Sequence, residues 1–424
     1  MVNDFNDYVA RTACRLDSLD PAAPLDDLEP LAAALGAARV VAIGENAHCV
    51  REFYLWRHRL TRFLVERLGF TAFAMESGFS EGLAVDEWVR GGPGDLRRVA
   101  DEGITYNMGR CAEMRDKLRW MREVDAPVRF FGLDVPGSTA SPLPALRHVE
   151  EYLAKADEDA LPLVERLSTL ARGYAGAHSL PAYTAYAALE RADRDEMTSL
   201  FAELSARFDA LEPAYAAAGA DFSVVRHELR LALLLDQALR SYAAQVSGLT
   251  AHPKVAVRDR GIAETVYWLL DRLGPDAKIV IGGHNSHLQR TPVLTPAFSL
   301  SAAGHHLATR LGDDYLVIAG TCTGGQTSTH RPDPDRPGGV AITAAELPAP
   351  ADGSVEAALA VVPGPHVVDL RGARGLQPAP HRIRLMADYQ EAPILDAYDL
   401  VVNIPKVSTT EQVEPAVADS LRKE

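Results

Sequence analysis

Four short apolar runs, each ending on an ionisable side chain, constrain this chain more than any other feature. Val40-Val41-Ala42-Ile43 leads into Gly44, Glu45 and His48, and Ile279-Val280-Ile281 leads into Gly282, Gly283, His284 and His287. Thr71-Ala72-Phe73-Ala74-Met75 ends at Glu76, and Val128-Arg129-Phe130-Phe131-Gly132-Leu133 ends at Asp134. Near-continuous apolar runs of this length, punctuated by glycine, predict strands buried on both faces of a parallel sheet. In an open sheet of that kind, ligands bind in the crevice outside the carboxyl ends of the strands. The six ionisable residues therefore stand where chemistry is done, and an enzyme is the leading expectation.

Composition narrows the class. A chain of 424 residues that is 47% hydrophobic buries a large core and has room for two or three units. The formal charge of −15, with no basic patch, disfavours nucleic acid and anionic membrane surfaces as partners. A small-molecule substrate fits better. The N-terminal segment, with Asp4 and Asp7, lacks the basic start and apolar stretch of a secretory signal, and no apolar run has the length of a membrane span. Cys14, Cys49, Cys111 and Cys322 are widely spaced and form no CxxC pair, so a reducing, cytoplasmic setting is expected.

The chain divides into three parts. Residues 1–140 read as the first half of an α/β core, with strands alternating with amphipathic segments such as 51–68. Residues 141–273 lose the strand pattern; Ala, Leu, Glu and Arg recur at helical spacing, as in 222–246 and 260–273, which predicts an all-helical insertion or cap. Residues 274–424 return to strand-like runs at 278–282, 315–320, 366–370 and 400–404. The predicted fold is a mainly parallel central sheet flanked by helices. Residues 323–339, with Gly324-Gly325 and several prolines around His330, read as a long loop.

Several groups have both a chemical and a plain structural explanation. Glu45 lies at a helix start, where a carboxylate also serves as a cap. His48 beside it suits general-base work, because an imidazole titrates near neutrality and a neighbouring carboxylate can orient it. Arg57 and His58 fall two to three turns into the following helix, whose charged face is a solvated one unless a nearby group needs a fixed cation. His284 and His287, together with Glu45, His48 and Glu76, hold the donors of a zinc or manganese site, and equally those of a metal-free acid–base site. Their spacing does not choose between the two. Gly78-Phe79-Ser80-Glu81-Gly82 matches the GxSxG pattern of a serine nucleophile. Glu76 and Ser77 intervene between strand and glycine, which fits that elbow poorly. His178, His252, His305, His306 and His330 have no carboxylate-rich turn beside them and are read as surface or locally bonded.

Gly44-Glu45-Asn46-Ala47-His48, Arg51 through His58, and Leu68 through Glu76 together resemble the erythromycin esterase family, closest to its type II branch. Phe131-Gly132-Leu133-Asp134, Arg258-Asp259-Arg260, His284-Asn285-Ser286-His287, Gly353-Ser354-Val355-Glu356 and Ala397-Tyr398-Asp399 extend the likeness nearly end to end. Gly282-Gly283 departs from the bulkier residues more often found in the family. The resemblance implies a hydrolase that opens the lactone of fourteen-membered macrolides and confers resistance, without a cofactor or metal. It implies a general base at His48, supporting carboxylates at Glu45 and Glu76, an arginine at Arg57 and a histidine pair at His284 and His287. On that basis Arg57 and one of the two histidines are expected to meet the developing oxyanion, and His58 and Asp134 to meet the substrate.

Overall fold

The computed structural model describes residues 4–219, 221–249, 256–294, 299–336 and 339–413. Its centre is an eight-stranded sheet of β1 (Cys14–Arg15), β2 (Val40–Glu45), β3 (Ala72–Gly78), β4 (Arg129–Asp134), β5 (Ile279–His284), β6 (Tyr315–Cys322), β7 (His366–Asp369) and β8 (Leu400–Ile404). The spatial order is β1-β7-β8-β6-β2-β5-β3-β4. All pairs from β8 to β4 are parallel, and β1 and β7 close one end antiparallel. The four apolar runs are thus neighbours, with β2, β5, β3 and β4 side by side. Every residue of β2, β3 and β5 is buried, as an unbroken apolar run requires when helices cover both faces.

Alternation along the strands divides the core. Val41, Ile43 and Phe73 pack with Trp56, Leu60 and Phe63 of α1 (Arg51–Leu68) on one face. Val40, Ala42, Ala74 and Ile281 pack on the other with Ile262, Val266 and Leu269. Helix α2 (Phe79–Val89) leaves the end of β3. Between β4 and β5 the described chain is helical, and includes α3 (Phe222–Val246) and α4 (Val257–Leu273). Most of this stretch has a core of its own, built from residues such as Leu146, Leu167, Phe201, Leu204 and Leu235. Helix α4 is different, because its apolar side covers the sheet.

The stretch expected to be a long loop is a hairpin instead. Gln326–Pro332 pairs antiparallel with Val340–Glu346, with Val340 opposite Pro332 and Glu346 opposite Gln326. Threonines at 327 and 329 facing Thr343 and Ala345 supply the β-branched content a strand favours, and Pro332 is confined to the strand's last position. The prolines had obscured that alternation. Ser328 on this hairpin donates to the carbonyl of His48 at 2.6 Å and so ties it to the strand ends.

Candidate active site

β2 and β5 run in register from Val40 beside Ile279 to Glu45 beside His284. β2 and β6 pair only from Val40 to Ile43. Beyond that point Asn285 enters the gap, its amide nitrogen donating to the Gly320 carbonyl at 2.8 Å and its oxygen accepting from the Gly320 N–H at 3.0 Å. A Cβ on Gly44 would lie 2.1 Å from that amide oxygen, so glycine is required there by close approach. Gly44 and Asn285 thus let the strands separate where the charged residues emerge.

Glu45, fully buried, accepts from His48 Nδ1 at 2.8 Å. Its other oxygen lies 2.8 Å from Nη2 of Arg57, an ion pair whose N–H is not aligned for a hydrogen bond. Arg57 is 2% exposed and runs under the sheet. Its Cδ would be 2.8 Å from a Cβ on Gly282, so the glycine that departs from the family pattern makes room for this arginine. Arg57 therefore backs Glu45 and does not reach the open side, in contrast to the oxyanion contact expected for it.

Glu76 is the hub of the open side. Its Oε2 accepts from the His284 backbone N–H at 2.8 Å and its Oε1 accepts from Arg258 at 2.8 Å. The same Oε1 lies 3.4 Å from His287 Nε2 and 3.7 Å from His48 Nε2. Burial opposes charge on Glu76, but His287, His48 and Arg258 outweigh it and hold the carboxyl well below its ordinary range. Burial likewise opposes charge on His48. The carboxylates of Glu76 and Glu45 overcome it and raise the imidazole to about 10.

The two histidines after β5 separate in role. His284 Nε2 lies 2.8 Å from the Asn46 carbonyl, which only accepts, so that nitrogen carries the proton. Nδ1 then accepts from the Ser286 hydroxyl at 2.8 Å and from its backbone N–H at 3.3 Å. Burial, followed by the charge of His48, lowers His284 to about 4 and keeps it neutral. Both ring nitrogens are engaged in holding the loop. His287 instead pairs Nδ1 with Asp259 at 2.8 Å and turns Nε2 toward Glu76 and Arg258. Against burial, Asp259 and Glu76 raise its pKa.

Asp134 sits one layer back, bonded to Arg258 Nε and Nη2 at 2.7 to 3.0 Å and itself fully buried. His58 is not in this cluster. It shares α1 with Arg57, but its ring packs 5.3 Å from Trp120, and burial, then Lys117 and Arg62, lower it to about 3. One residue along a helix turns a side chain by about 100°, so neighbours on α1 face different surroundings.

Sequence reasoning left out Tyr106, Arg258, Asp259, His178 and His330 as individual site residues. The Arg258-Asp259-Arg260 match signalled two of them. Tyr106 stacks on His48 at 5.8 Å, holds a left-handed φ of 57°, and donates to the Ser138 carbonyl at 2.9 Å. His178, read as surface or locally bonded, is 6% exposed and does bond locally, accepting from the Leu180 N–H at 3.2 Å; its ring also lies 5.5 Å from Tyr106 and 5.9 Å from His330 of the hairpin. No local pattern predicts that contact, since the helical stretch and the hairpin meet only in the fold. His305 and His306 are half-buried, with His305 5 residues before Arg310 on a separate helix and near Ser301 at 3.4 Å. His252 lies outside the described residues. Ser80 of the GxSxG pattern has no hydrogen-bond partner among the described residues, so none of them stands as a base beside it. Among the described residues, no three His, Cys, Asp or Glu groups are arranged around one metal position.

Two carboxylate–imidazole pairs, Glu45–His48 and Asp259–His287, thus flank Glu76 at the ends of parallel strands, a set of groups of the kind that acid–base chemistry uses. A family model described as erythromycin esterase matches residues 65–407. The chain is 30% identical to erythromycin esterase type II of Escherichia coli over 92% of its own length and 94% of that protein. It is 29% identical to erythromycin esterase type I of Escherichia coli, over 82% of this chain and 84% of that one. Among solved structures, a mutant of erythromycin esterase EreC in its open conformation superposes with a TM-score of 0.84 at 25% identity, covering 95% of this chain and 99% of that one. The protein belongs to the erythromycin esterase family and is an ester hydrolase.

Proposed function

We propose that the protein opens the lactone of a fourteen-membered macrolide with water activated by His48, and that this confers macrolide resistance. The observation that carries the reading is the division between groups that solvent reaches and groups that it does not. His48, His287 and Arg258 have side chains 15%, 22% and 19% exposed, whereas Glu45, Arg57 and Asp134 are at 0 to 2%. The first three face a substrate, and the second three hold them.

In this mechanism Glu45 fixes the tautomer of His48 by accepting from Nδ1, leaving Nε2 to take a proton from water as it attacks the ester carbonyl. Glu45 then faces the imidazolium that forms. Arg258 stabilises the oxyanion; His287, with Nδ1 on Asp259 and Nε2 accepting from Arg258, orients that guanidinium, and the proton taken up by His48 is returned to the departing alkoxide. Arg57 is a positioning residue behind Glu45, a change from the role expected of it in the sequence. His284, with both nitrogens occupied, is a positioning residue for the Asn46 turn. The helical stretch, through His178, and the hairpin, through His330 and Ser328, wall the approach to His48. The family relationship and the lack of a partner for Ser80 favour activated water over a serine nucleophile.

Mass spectrometry of a macrolide panel incubated with EDTA-treated protein tests this. A gain of one water on the fourteen-membered rings is expected. No mass change, with turnover restored by a divalent ion, overturns the metal-free mechanism; no change under either condition, with turnover of another ester, overturns the substrate. A raised inhibitory concentration of erythromycin in a susceptible host expressing the protein is the matching result for resistance.

A further inference from the structure

The GxSxG stretch, unused by the strand-end chemistry, borders a cavity of about 1160 Å³ at the β4 edge of the sheet, between α2, α3 and α4. Its lining includes Ser80, Glu81, Phe131, His148, Glu228 and Trp268, and none of the strand-end residues described above. Two carboxylates of this wall are paired, while single polar atoms along it are left without partners among the described residues. Asp86 is bonded to Arg129 at 2.6 to 3.1 Å, so that carboxylate is compensated. Glu228, fully buried on α3, forms an ion pair with His148 Nδ1 at 2.6 Å, which raises the His148 pKa, and its other oxygen has no hydrogen-bond partner among the described residues. Glu81 accepts from the Gly137 N–H at 2.8 Å, has an unpartnered second oxygen, and forms no ion pair among the described residues. Ser80, 2% exposed, has a hydroxyl with no partner.

Buried polar atoms are almost always satisfied, and an unsatisfied carboxylate oxygen is the costly kind. Two such oxygens and one hydroxyl bordering one cavity leave places for a donor from outside the chain. Burial, and then the charges of Asp134 and Glu228, push the Glu81 carboxyl up to about 7 against the backbone N–H groups it accepts. A cation placed between Glu81 and Glu228 would relieve that repulsion. An anion would increase it.

We propose that this cavity is a second ligand site that takes a small organic cation, its ammonium held by Glu228, Glu81 and the Ser80 hydroxyl and its apolar body lying against Leu83 and Val225. The site is separate from His48 and does not rest on the reaction proposed above.

Isothermal titration of the full chain with benzylamine, and in parallel with benzoate, tests the assignment, because the two probes share a ring and carry opposite charge at neutral pH. Saturable binding of benzylamine and none of benzoate is expected. Glu228→Gln, nearly isosteric, should weaken benzylamine by at least about tenfold, the range of one charge-assisted hydrogen bond. Glu81→Gln is the second variant, and thermal melting shows whether each is folded. Absence of saturable benzylamine binding, equal binding of benzoate, or unchanged affinity in a folded variant of both positions overturns the proposal.

Discussion

The ends of β2 and β5 are built alike and used differently. Each is an apolar strand followed by glycine and a histidine-bearing turn, and the two lie in register side by side. At the end of β2, Glu45 is buried and engages only one nitrogen of His48, so the other is available. At the end of β5, His284 is engaged at its backbone N–H, Nδ1 and Nε2, and His287 one turn later has Nδ1 on Asp259 and Nε2 accepting from Arg258 at 3.2 Å. Similar spacing thus brings histidines to one place but does not decide which of them is reactive. What decides it is which neighbours occupy the ring, here the Asn46 carbonyl from the β2 end and the Ser286 hydroxyl of the same turn.

The largest effect that can break this comparison comes from replacing one histidine at each strand end. His48→Ala should lower kcat by about 10²- to 10⁴-fold, the range of a general base, in a protein that still melts cooperatively. His284→Ala should lower the melting temperature, since the ring bonds Asn46 and Ser286, and reduce kcat only through that loss of order. Loss of turnover in a well-folded His284→Ala protein, with His48→Ala retaining more than about a tenth of its activity, would reverse the two roles.

Next in size is the arginine beneath the β2 end. Arg57→Met removes one of the two cations beside the buried Glu45, leaving His48, and should cost about 3 kcal/mol of stability in a denaturant titration, the low end for breaking a buried pair. A fall in kcat at unchanged stability would instead place Arg57 at the reacting oxygen. Gly282→Ala sharpens the same point. Its new Cβ would meet Arg57 Cδ at 2.8 Å, and overpacking of this kind costs about 1 to 3 kcal/mol.

The gentlest probe is pH. Because Glu76 and Glu45 overcome burial to raise His48 to about 10, the neutral, proton-accepting imidazole gains population as pH rises toward that value. kcat/KM should therefore climb on the alkaline side, and Glu76→Gln should move that limb to lower pH. Stability carries the opposite sign. The pairs around His48 stabilise the fold fully below its ordinary value of about 6.5, and that contribution is lost as pH rises through about 10. His48→Gln should flatten the stability profile across this window. An activity limb centred near the ordinary histidine value in the wild type would show that the carboxylates do not set the proton affinity of His48.

The strands and most of the helices were legible because each carries its own periodic pattern: α3 spans Phe222–Val246 and β8 spans Leu400–Ile404, as their apolar spacing predicts. The hairpin was not, because prolines and glycines masked a short alternation that becomes stable only when packed beside His48. His58 was placed near the substrate on the strength of its neighbour Arg57, although a helix sends consecutive residues in different directions. Tyr106 and His178 carried no local mark at all.

By itself the sequence determined that buried parallel strands would bring Glu45, His48, Glu76, His284 and His287 to one edge, since an apolar run can be buried only as a strand or helix and its polar end must emerge where the sheet stops. Only the tertiary structure decided which of these groups are free. That outcome rests on single contacts between residues far apart in the chain: Asn46 with His284, Asp259 with His287, Arg57 beneath Glu45, and Arg258 joining Glu76 to Asp134. Periodicity reports on burial, which is averaged over a whole element, whereas proton affinity depends on the one or two partners each side chain meets.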